Sequence, residues 1–151
     1  MKHLRLISAL VTSFIFLVAA CAQAQTDPPV LPDVSGQEVE TGNLKGALNG
    51  KSVDLKVDEY SYIDWSKLER NFVQFIYNEQ GKQWLAFYSK EVGEKLPNGG
   101  VRTKEVHDYL FEHINNGWVL VKEFAANQDP DSTRKDLNEL LKNKYKLEYG
   151  R

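Results

Sequence analysis

Val106-His107-Asp108-Tyr109-Leu110-Phe111-Glu112-His113-Ile114-Asn115-Asn116-Gly117-Trp118-Val119-Leu120-Val121 is the stretch on which the fold turns. Read at a helical period, Val106, Tyr109, Leu110, His113 and Ile114 fall at i, i+3, i+4, i+7 and i+8 and make one continuous face. Thr103 stands where an N-cap belongs, and Asn116-Gly117 where a left-handed C-terminal cap belongs. Residues 118–125 then follow as an apolar strand. The expectation is a helix from Thr103 to Asn116, with Trp118 buried where that helix meets a sheet.

Downstream, residues 127–131 read as a loop, and Thr133 with Asp136 as a capping box. Leu137, Leu140, Leu141 and Tyr145 form the buried stripe of a second helix. Residues 145–149 alternate like a short strand, or are that helix running out. Upstream, residues 44–60 read as a hairpin about Asn49-Gly50, a pair that accepts two positive φ angles. Val53, Leu55 and Val57 alternate there with Asp54, Lys56 and Asp58, the pattern of a half-buried strand. Asp64 is expected to cap a short helix through Trp65 and Leu68. Residues 71–78 and 83–89, rich in aromatic and β-branched side chains, read as a second hairpin turning at residues 79–82. Pro97-Asn98-Gly99-Gly100 marks a loop. Together these elements predict an α+β fold, an antiparallel sheet built from hairpins with two main helices packed on one face.

The beginning of the chain has a different character. Lys2 and Arg5 precede a nearly apolar run of about fifteen residues, within the range of a signal peptide and short of the roughly 20 a spanning helix needs. Cys21, the single cysteine, ends Leu17-Val18-Ala19-Ala20-Cys21. This segment resembles the lipobox of bacterial lipoproteins. The resemblance implies that residues 1–20 are a signal peptide, that Cys21 is the lipid attachment site, and that the protein meets the membrane through its acyl chains. Ala22 after Cys21 resembles lipoproteins sent on to the outer membrane. Ala22-Gln23-Ala24 offers a competing cleavage site, which would leave a soluble periplasmic or secreted protein. Residues 21–42 carry Pro28, Pro29 and Pro32 and are expected to be an extended tether, leaving residues 43–151 as a single domain. A second resemblance covers residues 110–121: Asn116-Gly117-Trp118-Val119-Leu120-Val121 is similar to a helix–Gly-Trp–strand element of small uncharacterised bacterial domains, with Val119 where those usually have Glu.

Charge excludes some partners. Without Lys2 and Arg5 the chain holds 17 basic against 21 acidic residues, with no basic cluster, so nucleic acid is not an expected partner. Metal and acyl-transfer signatures are missing as well. On a helix, His107 and His113 lie about 240° apart and cannot share an ion. Asp108 and Glu112, at i and i+4, have cation-sharing spacing but read as a solvated face. There is no Gly-x-Ser-x-Gly and no cysteine after Cys21, and no cofactor is implied. His113 reads as a core histidine and His107 as an exposed one.

One cluster suggests recognition. Tyr60, Tyr62 and Trp65 fall within six residues, beside Asp58, Glu59 and Asp64. Rings next to acidic acceptors suit a sugar, a peptide or a cationic protein surface. The same rings also suit the edge of a core. The expected function is an envelope-anchored, non-catalytic binding protein with a protein or peptidoglycan partner, as an accessory factor or an inhibitor. A small periplasmic hydrolase whose residues converge only in three dimensions, and a structural spacer, are the alternatives.

Overall fold

The computed structural model describes residues 27–78 and 82–149. The leader, Cys21 and residues 79–81 lie outside the described residues, so the lipid-attachment expectation is not placed by it. The elements run β1 (Glu40–Leu48), β2 (Lys51–Asp64), β3 (Glu69–Tyr77), β4 (Gln83–Lys95), β5 (Val101–Ile114), β6 (Gly117–Glu123), α1 (Pro130–Tyr145) and β7 (Leu147–Tyr149). The seven strands form one sheet in the order β6-β5-β4-β3-β2-β1-β7, antiparallel throughout. It is a meander that curls into a half-barrel, and its seventh strand returns beside the first.

This overturns the expected α+β arrangement. The chain is mainly β, with one helix among the described residues, and residues 103–116 belong to strand β5. Tyr109, Leu110 and Phe111 are consecutive and all buried. On a strand, neighbours point to opposite faces, so this happens only when both faces are covered. Leu110 enters one core, and Tyr109 and Phe111 enter another. Double coverage erased the period-two alternation and left apolar spacing that fits a helix equally well. The apparent helix end is a hairpin end. Ile114 pairs with Gly117, and the two residues between them, Asn115 (φ 50°) and Asn116 (φ 63°), are both left-handed. That is the geometry of a tight two-residue hairpin loop, which Asn tolerates well. Asn49 (φ 53°) and Gly50 (φ 74°) make the same turn between β1 and β2.

Two smaller expectations also change. The segment after Asp64 is a turn, in which the Asp64 carboxylate accepts from Ser66 N at 3.0 Å and Leu68 takes φ 55°. Helix α1 starts earlier than Thr133. Asp129 is its N-cap, accepting from Asp131 N and Ser132 N, and Pro130 opens the first turn. These bonds hold the Asp129 carboxyl below the usual carboxylate range, the Ser132 hydrogen bonds contributing most. A depressed acid stabilises the fold above its unfolded pKa, and the gain is lost as pH falls through the folded value. Asp129→Asn should therefore lower the melting temperature at neutral pH, and the gap should close in acid below about pH 4. A gap independent of pH would remove the carboxylate from the cap.

The helix ends at Lys146, left-handed at φ 55°, whose N–H returns to Leu141 O. Residues 147–149 then pair with β1, so the strand reading of the chain end holds. The pairing is close: a Cβ on Gly46 would meet Glu148 O at 2.6 Å. On the helix side, Leu137, Leu141 and Leu147 pack with Val53, Leu55, Val57, Ile76, Leu85, Leu110 and Phe124. On the other side, Val73, Phe75, Ala86, Tyr88, Tyr109 and Phe111 form a second core. Leu31 and Val34, from the Pro-rich segment expected to be a tether, pack on that second core.

Candidate functional site

Helix α1 is held firmly toward its C-terminal end. Leu141 is buried, Tyr145 OH donates to Glu112 Oε2 at 2.9 Å, and the Tyr145 ring meets Trp84 edge-on at 5.5 Å. The N-terminal half, whose Thr133 and Leu137 are also buried, borders a cavity. Between it and strands β3, β4 and β5 lies a cleft of about 730 Å³. The helix and the preceding loop supply Asn127, Thr133 and Leu137. The sheet supplies Phe72, Phe87, Ser89, Val106 and Asp108. Register explains the sheet side: Asp108 pairs with Ser89, and Ser89 with Phe72, so these three form one cross-strand row. Asn127 fixes the wall, since Val106 N donates to its side-chain oxygen at 2.8 Å and its own N–H donates to Val106 O at 2.9 Å.

The cleft mixes apolar area with two orphaned polar atoms. Asp108 Oδ1 and Thr133 Oγ1 are buried and have no hydrogen-bond partner among the described residues. Asp108 is 9% exposed and Thr133 4%. Leaving a buried polar atom unmade costs about 1–3 kcal/mol, more for a charged group, so two on one cavity wall call for an explanation. Thr133 would ordinarily bond back to the preceding turn of its helix. The half-buried rings of Phe72 and Phe87, with Val106 and Leu137, supply the apolar surface. Concave, mostly apolar walls with a few convergent polar atoms are the common form of a small-molecule site.

The residues singled out from the sequence fall elsewhere and do not form one patch. Tyr60 lies on the second core, its ring edge-on to Phe75 at 5.6 Å. Tyr62 is half-buried two positions on, and its hydroxyl pKa is raised by desolvation first, then by Asp64, Glu69 and Asp33. Trp65 is 68% exposed at the β2–β3 turn. It lines a depression of about 230 Å³ with Ile63, Leu68 and Val101, apart from Tyr60 and Tyr62. His107 and His113 lie on one face of β5, about 20 Å apart at strand rise. His107 contacts Glu105 at 3.1 Å, and His113 meets the ring of Trp118 at 5.0 Å. Trp118 itself is half-buried on edge strand β6, against Phe75 at 5.4 Å, and not at a helix–sheet junction. Asp108 and Glu112 are likewise separated along the strand by about 13 Å. Among the described residues no three His, Cys, Asp or Glu side chains gather as a metal ion would require. No helix among them is long and apolar enough to cross a membrane.

Asp108 and Thr133 were read from the sequence as a solvated helix face and a helix cap. The signal for Asp108 is visible once residues 106–112 are taken as a strand. It then interrupts the inward row of Val106 and Leu110, where an apolar residue is expected. Comparison with protein-family models, curated proteins and solved structures finds no match to this chain.

Proposed function

We propose that this chain is a non-catalytic binding protein of the bacterial cell envelope, carrying a small amphipathic molecule in the cleft between α1 and strands β3–β5. The observation that carries the reading is that two residues lining a cavity of about 730 Å³, Asp108 and Thr133, each hold a buried oxygen, Oδ1 and Oγ1, without a hydrogen-bond partner among the described residues. A ligand that bonds to them removes their desolvation cost and covers Phe72 and Phe87 at the same time. The envelope location rests on the leader and on the resemblance of residues 17–21 to a lipobox. Lipidation at Cys21 would place the cleft at a membrane surface, where amphipathic molecules are concentrated.

The test is saturable binding of the fluorescent apolar probe N-phenyl-1-naphthylamine to protein purified from cells expressing the full chain. Wild type should bind one equivalent. Ser89→Trp, which fills the middle of the cross-strand row, should lose most of that binding while melting normally. Trp65→Ala, at the distant turn, should bind as wild type does. Absent saturation, or a Ser89→Trp protein that folds and binds unchanged, would end the cleft reading.

A second reading follows from Trp65. Its exposure beside Ile63 and Val101, 43% and 48% exposed, is the kind of apolar patch that meets a macromolecular partner. Of the three aromatic residues singled out from the sequence, Trp65 is the one that supports it.

A further inference from the structure

Building on the cleft as a ligand site, we infer that its ligand carries a cationic hydrogen-bond donor, a primary ammonium on an apolar body, which pairs with Asp108. The charges around the cleft single this residue out. Five charged side chains line it: Glu91, Lys104, Asp108, Asp129 and Arg134. Four are already engaged. Glu91 meets Arg70 at 3.6 Å, and Lys104 meets Glu105 at 3.6 Å. Arg134 is paired with Asp131. Asp129 accepts from two N–H groups of the first helical turn at 3.1 Å. Asp108 has neither an ion pair nor a hydrogen bond to Oδ1 among the described residues, and it is the most buried of the five.

A buried carboxylate without a partner is among the least favourable arrangements in a fold, and a cation reaching it regains charge-assisted hydrogen bonds. An anionic ligand meets the opposite situation. The helix N-terminus opens on the cleft, but Asp129 already occupies its free N–H groups, so the dipole end offers no vacant anion site. Thr133 Oγ1 can donate or accept and thus serves a hydroxyl or carbonyl next to the ammonium. Phe72, Phe87, Val106 and Leu137 receive the apolar body.

Three probes of equal chain length separate the possibilities: decylamine, decanol and decanoate, each displacing N-phenyl-1-naphthylamine at neutral pH below its micellar concentration. Decylamine should bind at least ~10-fold more tightly than decanol, the size of one charge-assisted bond, with decanoate weakest. Asp108→Asn should erase the preference for decylamine over decanol. The wild-type ratio decides the matter even if the variant does not fold. Equal binding of all three probes, or preference for decanoate, overturns the ammonium inference while the cleft reading stands. Binding of none, with N-phenyl-1-naphthylamine also failing to saturate, overturns both. Flotation with phosphatidylethanolamine vesicles then separates sources: protein that floats more than its Asp108→Asn variant takes a lipid-borne ammonium, and protein that binds decylamine but floats no more than that variant takes a free amine.

Discussion

Phe111→Ala is expected to lower the stability of the folded protein by about 3–5 kcal/mol. Phe111 is 2% exposed and sits in the second core with Tyr109, at 6.4 Å between ring centroids, and with Val73, Phe75 and Ala86. The surrounding strands are fixed by pairing on both sides, Ala86 on β4 and Leu120 on β6, so the walls cannot collapse into the space left by the ring. The cavity term therefore adds to the transfer term. Against a total of about 5–15 kcal/mol for a typical domain, this is a loss that urea denaturation will register as a large shift in midpoint. The experiment also discriminates between the two structures this segment allows. On a helix with Tyr109, Leu110 and His113 facing in, Phe111 falls off the apolar stripe, and its truncation would cost little. A change below about 1 kcal/mol would return residues 103–116 to the helical reading.

That contrast locates what the sequence could and could not convey. Where one side of the sheet is wet, as at Val53, Leu55 and Val57, the alternation is clean and the strand is legible. The Asn49-Gly50 turn was legible too, because its chemistry is local. Residues 109–111 were not, because what covers the second face is non-local. Leu31 and Val34 lie about eighty positions away in a segment whose prolines suggest a free tether. The Asn116-Gly117 signal marked a stop but was misread in both element and residue: the left-handed pair is Asn115 and Asn116, which close a hairpin, and Gly117 already belongs to strand β6. The candidate site was less legible still. Asp108 and Thr133 come to line one cleft only through the return of α1 over the sheet, and no spacing along the chain encodes that. Tyr60, Tyr62 and Trp65, adjacent in sequence, separate because strand residues before the turn face the second core and the turn itself projects outward.

The helix links stability to the cleft, and Leu141 tests that link. Leu141→Ala should cost about 2–5 kcal/mol. Its side chain is 1% exposed, within a cluster that includes Leu55, Leu85 and Leu147, each fully buried. Leu141 also closes the end of the helix, since its carbonyl receives the Lys146 N–H just before β7 joins β1. The cleft lies beside the first turns of α1, and the clamp is at the other end of the helix. Loosening the clamp therefore frees the wall that carries Thr133 and Leu137 relative to the sheet that carries Asp108. Probe binding should weaken well beyond the fraction of molecules unfolded, and the loss should persist at low temperature where Leu141→Ala is still folded by circular dichroism. Leu55→Ala supplies the comparison: it opens a void of similar size in the same core but on β2, away from the cleft. If both variants lose the same stability and the same affinity, the clamp has no special role and binding merely tracks folding. Loss of affinity confined to Leu141→Ala would tie the cleft to the anchored end of the helix.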